Sequence, residues 1–353
     1  MKKLFVFTAL IAIMISFTVA TTAFTPLGTG VQPQVRDAVN ELGEQAGLPF
    51  IRGQWYYVDP ASGSDTAGGK TKKTAVASIV TAYGKCSNNG DGIVLMVSST
   101  SLSGMVSYLT DEMTWAKHNI TVVGLGSGSM FNQRAGIRNG AHVAGADSNN
   151  ALVYLINVTG HNNLFQNMHF INNGDSAVAL GSVRVTGARN HFVNCHIVGA
   201  NNATPGAVTT ANDLYLIGSE NTFDRCTFGI NNSGIREAAN GEILMVGAQG
   251  QNFFNDCVIL SQSATEGKGA IKVSGAATFG GWTFFRNCTF VNWLSGAITA
   301  NTSLVIGDAQ NNCGIILDRC GFVGFAAIAD ANWDKVVSTG PAGEATGGIG
   351  ANP

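Results

Sequence analysis

The sequence has few charged side chains. Lys, Arg, Asp and Glu make up 12% of its 353 residues and leave a formal net charge of −2, whereas about a quarter of the residues in a typical soluble protein are charged. A surface that binds nucleic acid concentrates Lys and Arg, so we expect no nucleic-acid partner. Low charge combined with 45 glycines favours a protein whose flat sides are covered by other copies of itself.

The sequence also lacks the patterns that carry common catalytic chemistries. It contains no Asp-Asp or Asp-x-Asp pair, no G-x-S-x-G elbow and no Cys–His nucleophile arrangement. The stretch from Ser64 to Thr71 has Ser where a phosphate-binding loop needs its first glycine. The acids expected on the outside of the fold are isolated from one another: Asp175, Asp213, Asp224, Glu237, Glu242, Asp256 and Asp318. These absences predict no catalytic residue, no metal site and no cofactor.

What the sequence does have is a repeat in its second half. One column contains sulfur residues at intervals of 27, 31, 31, 31 and 32 residues: Met168, Cys195, Cys226, Cys257, Cys288 and Cys320. A large apolar residue lies three positions before each of them, and another lies two positions after. A column five positions before holds Asn163, Asn190, Asn221 and Asn252. Self-similarity at a fixed period indicates a solenoid, in which each unit buries its apolar face by stacking on its neighbours.

The composition of the repeating units indicates β-strands. They are rich in Phe, Val, Ile and Thr and are punctuated by Gly and Asn. The sulfur position and the apolar residue three before it can both point inward only if the chain turns a corner between them, where Asn, Asp or Arg occurs. A second apolar stretch precedes each motif. Short strands joined by corners predict an all-β fold, a parallel β-helix with a short helical cap at its N-terminal end.

In such a coil, equivalent side chains stack about 4.8 Å apart. We therefore predict that the asparagine column is a hydrogen-bonded ladder and that the cysteine column is a stack of buried thiols. Seven cysteines are present, so at least one is unpaired, and in-register side chains have poor geometry for disulfides. His169 and His196 share the next column, and we expect them to be solvated or packed at an edge, because two histidines without a carboxylate make a weak metal site.

The two ends of the chain depart from the repeat. Residues 1–23 combine Lys2 and Lys3 with an apolar run and small residues, which is typical of a secretory signal peptide. Two alternatives for this segment are an uncleaved apolar anchor and a segment buried in an assembly. A column of free thiols is more typical of a reducing compartment, which argues against export. We divide the rest into a linker or N-terminal arm (24–54, with a helix over 34–45), a solenoid cap (55–89, with a helix over 74–83), the β-helix (90–325, with an excursion over 110–118) and a Gly/Ala-rich C-terminal cap or tail (326–353).

The residues that open the solenoid also carry a resemblance. The stretch WYYVDPASGSDTAGGKTKKTAVASIVTAYGKC, the later GDGIVLM and NITVVGLG, and the repeats resemble pectate-lyase-like right-handed β-helix proteins. The stretch GLPFIRGQWYYVDPASGSD, with the later coils, is similar to uncharacterised β-helix proteins encoded among bacteriophage structural genes. The resemblance covers roughly residues 47–325 and implies a right-handed fold. No positions of this sequence match the calcium-binding aspartates or the basic catalytic residue of the lyases.

From these observations we expect a non-catalytic structural or surface-display protein, a bacteriophage virion protein of the head-decoration or fibre type. Its expected partners are further copies of itself, as a homotrimer, and other virion or surface proteins. One alternative is a secreted or cell-surface β-helix protein that binds or cleaves polysaccharide. Another is a subunit of an extracellular filament or surface layer. The fold alone does not decide among these, because one solenoid hosts many activities.

Overall fold

A computed structural model describes residues 48–49, 51–88, 90–97, 106–126, 135–139, 151–200, 202–229, 240–247, 250–262, 269–274, 281–293, 302–306, 314–325, 327–329 and 336–338. The chain divides into two compact units, residues 1–49 and 50–353. All the helices and strands below belong to the second unit. The expected signal peptide and the expected helix over 34–45 lie outside the described residues. Among the described residues, no helix has the length and apolar character needed to cross a membrane.

The strands form three parallel sheets, which we call A, B and C. In the described part of the chain, sheet A consists of Trp55–Val58 (β1), Gly92–Met96 (β2), Thr121–Leu125 (β5), Leu164–Gln166 (β8), His191–Val193 (β11), Thr222–Asp224 (β14), Phe253–Asn255 (β17), Trp282–Arg286 (β20), Gly314–Asp318 (β23) and Val336–Ser338 (β26). Sheet B consists of Val106–Leu109 (β3), Ala135–Asn139 (β6), Met168–Ile171 (β9), His196–Val198 (β12), Thr227–Phe228 (β15), Val258–Ser261 (β18), Thr289–Asn292 (β21) and Gly321–Val323 (β24). Sheet C consists of Met113–Trp115 (β4), Ile156–Val158 (β7), Val183–Val185 (β10), Leu214–Leu216 (β13), Gly241–Val246 (β16), Gly269–Ser274 (β19), Thr302–Ile306 (β22) and Ala327–Ala329 (β25).

Each turn of the solenoid visits the sheets in the order C, A, B. After β10 a short turn leads into β11, a two-residue corner leads into β12, and a longer loop with the helix Ala203–Gly206 (α2) returns the chain to sheet C at β13. Every strand pairs in parallel with its equivalent in the next turn, as β11 does with β14. The segment 110–118, expected to be an excursion, contains β4 and so begins sheet C. The sheets also continue past residue 325, through β25 and β26.

The predicted corner between sheets A and B is present in every described turn. The residue just before the sulfur position has a positive φ, between 50° and 59°, at Asn167, Asn194, Arg225, Asp256, Asn287 and Arg319. This left-handed conformation is tolerated best by Gly, Asn and Asp. Because the chain turns there, Phe192 and Cys195 both point into the core despite their odd spacing, and both are fully buried.

The core is built from columns of equivalent side chains. Phe165, Phe192, Phe223, Phe254 and Phe285 stack face to face, with ring centroids 4.4 to 4.9 Å apart. Beside them, the thiols of Cys195, Cys226, Cys257, Cys288 and Cys320 each lie 3.3 Å from a backbone carbonyl oxygen of the preceding turn. No described cysteine forms a disulfide. Burial in the apolar core raises the pKa of Cys257 well above its usual value, so this thiol is a packing group rather than a nucleophile.

The asparagine column forms a continuous hydrogen-bonded ladder at the turn between sheets C and A. The Nδ2 atom of Asn163 donates to Oδ1 of Asn190 at 3.0 Å, Asn190 donates to Asn221 at 3.2 Å, and Asn221 donates to Asn252 at 3.2 Å. Each Oδ1 also accepts the backbone N–H of the preceding asparagine. The four amides are buried, and the ladder satisfies polar groups that would otherwise destabilise the turn.

The N-terminal end is closed by a short helical cap. A 3₁₀ turn spans Lys72–Thr74, and the α-helix Ile79–Lys85 (α1) begins at the N-cap Ser78. The helix therefore starts later than the expected 74–83, because Ala75 has an extended backbone and Val76 forms a parallel bridge with Val58. Ile79 and Ala82 of α1 are fully buried against the first strands, which covers the open end of the core.

Candidate functional site

The outer surface of sheet C carries one row of side chains from successive turns. In β10, Val183 and Val185 are buried in the core, so Arg184 between them points outward. The strand register aligns the outward positions of six described strands: Thr114, Asn157, Arg184, Tyr215, Leu244 and Lys272. We call this row the sheet C face. It contains two cationic side chains and no carboxylate.

Arg184 lies against a pair of aromatic rings whose centroids are 5.7 Å apart. Its Cζ atom lies 5.3 Å from the ring centroid of Tyr215 and 5.9 Å from that of Tyr154. The hydroxyl of Tyr154 accepts a hydrogen bond from Nδ2 of Asn212 at 3.3 Å, and burial raises the pKa of Tyr154 to about 12. Cation–π contacts of this kind fix the plane of a guanidinium group. Arg184 is therefore an oriented, half-buried cation rather than a mobile surface side chain.

Lys272 is the second cation of the row. Its Nζ atom donates to the backbone oxygen of Thr209 at 3.2 Å, and partial burial lowers its pKa, because desolvation disfavours the ammonium form. Three strand spacings separate Lys272 from Arg184, which is roughly 14 Å. The two cations therefore lie too far apart to contact the same small group.

The described acidic residues that the sequence predicts on the outer surface do not belong to the sheet C face. Asp213 and Glu242, expected on the outer surface, are buried at the start of β13 and β16. The Oδ1 atom of Asp213 accepts the N–H of Gly199 at 2.6 Å. Asp213 directly precedes β13, at the end of the loop that includes Gly199, and Glu242 is the second residue of β16. Strand alternation alone does not reveal that they are buried. Asp175 is exposed, and Glu237 lies outside the described residues.

The acids on the outer side of sheet A are held by basic and amide side chains. Oδ2 of Asp224 lies 2.6 Å from Nε2 of His191, and Oδ1 of Asp224 accepts from Asn255 at 2.8 Å. Asp318 lies between Arg286 at 3.0 Å and Arg319 at 3.3 Å. These contacts join neighbouring turns and leave no pair of carboxylates facing each other.

The two histidines that share a column lie on sheet B. His169 and His196 are stacked with ring centroids 4.5 Å apart, and both are buried rather than solvated. Nε2 of His196 lies 2.8 Å from the carbonyl oxygen of Gly229. No group of three or more His, Cys, Asp or Glu side chains is arranged to hold a metal ion in the part of the chain that the structure describes.

Sequence reasoning missed the sheet C face, although a signal was present. The second apolar stretch of each repeat contains VRV, LYL and IKV, whose middle residues are Arg184, Tyr215 and Lys272. A polar residue between two buried ones marks an outward position. The row is hidden because loops of unequal length precede these strands, so the outward positions follow no constant interval.

Comparison with known proteins identifies the fold but no family. No protein-family model matches the chain, and no curated protein matches it. A solved structure of a pectin methylesterase mutant in complex with a hexasaccharide aligns with a TM-score of 0.50 and 12% identity, over 81% of this chain and 89% of that chain. The fold is a right-handed, pectin-lyase-like β-helix. The pectin methylesterase PemA from Erwinia chrysanthemi (TM-score 0.46, 13% identity, 84% of this chain and 93% of that chain) and the pectate lyase Pel9A (0.46, 13%, 85% and 83%) are also similar.

These findings correct the expected function. The interpretation of the chain as a non-catalytic structural protein of a bacteriophage particle is wrong, and so is the expectation that it is not an enzyme. The solved structure that aligns with a TM-score of 0.50 is a pectin methylesterase in complex with a hexasaccharide, and not a virion protein. It gives no support to a virion-surface location. The stated alternative, binding or cleavage of polysaccharide, agrees better with this comparison than the first interpretation does.

Proposed function

We propose that the protein binds an anionic polysaccharide along the sheet C face and cleaves it beside Lys272. The observation that supports this is the row itself, which presents Asn157, Arg184 and Tyr215 outward from three successive turns and Lys272 from the turn beyond the buried Leu244, without a carboxylate among the described positions. The row advances by about 4.8 Å per turn, so a linear polymer lying parallel to the solenoid axis would meet these side chains in order.

Arg184 is suited to bind a carboxylate of the polymer. Its guanidinium group offers several N–H donors in a plane, and such a fork matches the two oxygens of a carboxylate. Tyr154 and Tyr215 fix that plane before the ligand arrives, which reduces the entropy lost on binding. The exposed ring surface of half-buried Tyr215 adds apolar contact for the C–H face of a sugar.

Lys272 is suited to act as a base. Partial burial lowers its pKa, so the neutral amine, which can accept a proton from carbon, forms at a lower pH than it does in a fully exposed lysine. In a uronate unit, Lys272 Nζ would take the proton from the carbon next to the carboxylate. The electrons of that C–H bond form a C=C bond, the neighbouring C–O glycosidic bond breaks, and the leaving oxygen receives a proton from water.

The test uses polygalacturonate, with binding measured by calorimetry and cleavage by the ultraviolet absorbance of the unsaturated product. We expect turnover to increase as the pH rises through the lowered pKa of Lys272. The Lys272→Gln variant should lose at least tenfold in turnover and retain binding, while Lys73→Gln, which changes an exposed lysine of the cap, should have no effect. A wild-type protein that neither binds nor cleaves anionic polysaccharides would contradict the proposal.

Export from the cell fits this function, because a polysaccharide substrate lies outside the cytoplasm. We therefore propose that residues 1–23 act as the signal peptide that their sequence indicates. Mass spectrometry of the mature protein should find an N-terminus after Ala20 or Ala23. An intact Met1 on the exported protein would contradict cleavage.

A further inference from the structure

A cavity adjoins the N-terminal end of the sheet C face. It lies between helix α1 and the segment that connects β3 to β4, and its volume is about 660 Å³. Small-molecule sites in proteins have volumes of roughly 300 to 1,000 Å³. Its walls are formed by apolar, aromatic and acidic side chains, chiefly Val80, Tyr83, Tyr108, Asp65, Asp111 and Glu112. The cavity is therefore large enough for one sugar ring.

The charge of the cavity is opposite to that of the sheet C face. Its lining includes three carboxylates and no Lys, Arg or His. Asp65 is engaged with the wall, because its Oδ1 accepts the N–H groups of Ala77 and Ser78, both at 2.9 Å. Asp111 accepts a hydrogen bond from the hydroxyl of Thr110 at 3.1 Å. Both Asp111 and Glu112 remain at least partly open to solvent and can accept hydrogen bonds from a ligand.

The cavity and the sheet C face form one continuous surface. Thr114 lines the cavity and is also the first residue of the outward row, two strand positions from Arg184. Glu112 also acts electrostatically on Tyr154, one of the two rings beside Arg184, since after burial and Tyr215 it contributes to raising the pKa of Tyr154. A polymer that follows the row would thus pass from a cationic region into an acidic one within about 10 Å.

We infer that this cavity binds an uncharged sugar unit of the polymer, and that Asp111 and Glu112 select against a uronate at this position. The inference rests on the proposed function. Carboxylates accept hydrogen bonds from sugar hydroxyls, whereas a carboxylate on the ligand would meet like charges. Lys117, whose Nζ atom lies 4.6 Å from the ring centroid of Tyr83, does not line the cavity and already donates to the carbonyl oxygens of Tyr83, Gly84 and Cys86. Tyr83, Tyr108 and Val80 supply the apolar contact that a sugar ring needs. The preferred substrate is therefore a heteropolymer of uronate and neutral units.

The experiment compares two polymers of equal length: polygalacturonate, and polygalacturonate in which part of the carboxylates has been reduced to alcohols. We expect the wild type to bind the partly reduced polymer several-fold more tightly. The double variant Asp111→Asn/Glu112→Gln should bind both equally, chiefly through tighter binding of the fully charged polymer. Asp256→Asn removes a carboxylate at the corner between sheets A and B, away from sheet C, and should preserve the preference.

The outcomes separate this inference from the proposed function. Equal affinity of the wild type for the two polymers, or an unchanged preference in the double variant, would overturn the inference and leave the proposed function standing. Failure of the wild type to bind either polymer would overturn both. A Val80→Trp variant places bulk in the cavity from the exposed side of α1 and should abolish the preference by exclusion. Thermal melts of each variant show whether it remains folded.

Discussion

At the scale of single residues, the solenoid depends on side chains that satisfy one another between turns. Asn221 illustrates this, since its Oδ1 accepts two N–H groups from Asn190 and its Nδ2 donates to Asn252 and to the carbonyl oxygen of Gly187. A buried amide with four partners contributes more to stability than its area suggests, because its loss leaves several polar groups unpaired.

We therefore expect Asn221→Ala to lower the free energy of unfolding by about 2 to 4 kcal/mol, since a buried unsatisfied polar group costs about 1 to 3 kcal/mol. The midpoint of a urea titration measures this loss. Asn157→Ala serves as the control, because Asn157 is half-buried on the sheet C face and lies outside the ladder. Equal midpoints for the two variants would mean that the ladder adds no stability.

The cysteine column predicts a contrast between two substitutions at one position. Cys257 is fully buried, and its thiol lies 3.3 Å from the carbonyl oxygen of Phe223. A serine hydroxyl can donate to the same oxygen, so Cys257→Ser should cost about 1 to 3 kcal/mol. Cys257→Asp buries a carboxylate among sulfur atoms and should cost more, about 3 to 5 kcal/mol. Thermal melts that match the parent for both variants would show that this column lies outside the core.

At the scale of elements, the cap is fastened to the first turn by one lysine. The Nζ atom of Lys117 donates to the carbonyl oxygens of Tyr83, Gly84 and Cys86 at the C-terminal end of α1, the last of them at 2.6 Å. The carbonyl oxygen of Tyr83 also accepts the N–H of the C-cap Cys86 at 3.2 Å. A cation at this end is stabilised by the last carbonyls and by the helix dipole. Lys117 lies four residues beyond the start of β4, so it joins the cap to the solenoid.

Removal of this charge should loosen the cap without unfolding the solenoid. We expect Lys117→Met to reduce local stability by about 2 kcal/mol, because hydrogen bonds to charged groups contribute about 1.5 to 3 kcal/mol. Amide hydrogen exchange over 79–85 should become faster by more than tenfold. Lys85→Met, at an exposed position of the same helix, should leave the exchange unchanged. Unaltered exchange in Lys117→Met would show that the helix is held without this charge, by apolar packing and by the hydrogen bonds that Ile79 makes with Ser107 and Tyr83 makes with the backbone N–H of Lys117.

Asp91 makes the cap sensitive to acid. Burial tends to raise the pKa of this carboxyl group, but the N–H groups of Ser87 and Gln54, both at 2.7 Å, outweigh burial and hold it below its usual value. A carboxyl group whose pKa is lowered on folding stabilises the protein above its unfolded pKa, and this contribution is lost as the pH falls through its folded pKa. Wild type and Asp91→Asn should therefore differ in melting temperature at pH 7, and the difference should shrink below about pH 4. A constant difference would assign the effect to packing.

At the scale of the whole molecule, the repeat determined what could be predicted. Positions such as Cys195, Cys226 and Cys257 recur at a fixed interval because these coils have the same total length and because the corner between sheets A and B, which places the thiol, has two residues in each of them. The core columns are therefore visible in the sequence. Arg184 and Lys272 follow loops of variable length, and Asp213 is covered by such a loop. Side chains that recur with the core columns were therefore predictable. The outer site was not, because its residues follow loops of variable length and recur at no constant interval. The expected homotrimer remains a prediction, which light scattering can test.

The distribution of charge over the molecule gives a last prediction. The net charge is −2, so the protein as a whole does not attract an anionic polymer. The electrostatic attraction comes locally from Arg184 and Lys272. Salt screens such contacts, since the Debye length falls from about 10 Å at 0.1 M salt to about 3 Å at 1 M. Binding of polygalacturonate should weaken several-fold over this range.

Arg184→Gln should bind more weakly at low salt and respond less to added salt, because one of the two screened contacts is missing. Calorimetric titrations at several salt concentrations measure both effects. A wild-type affinity independent of salt would place the polymer on another surface than the sheet C face.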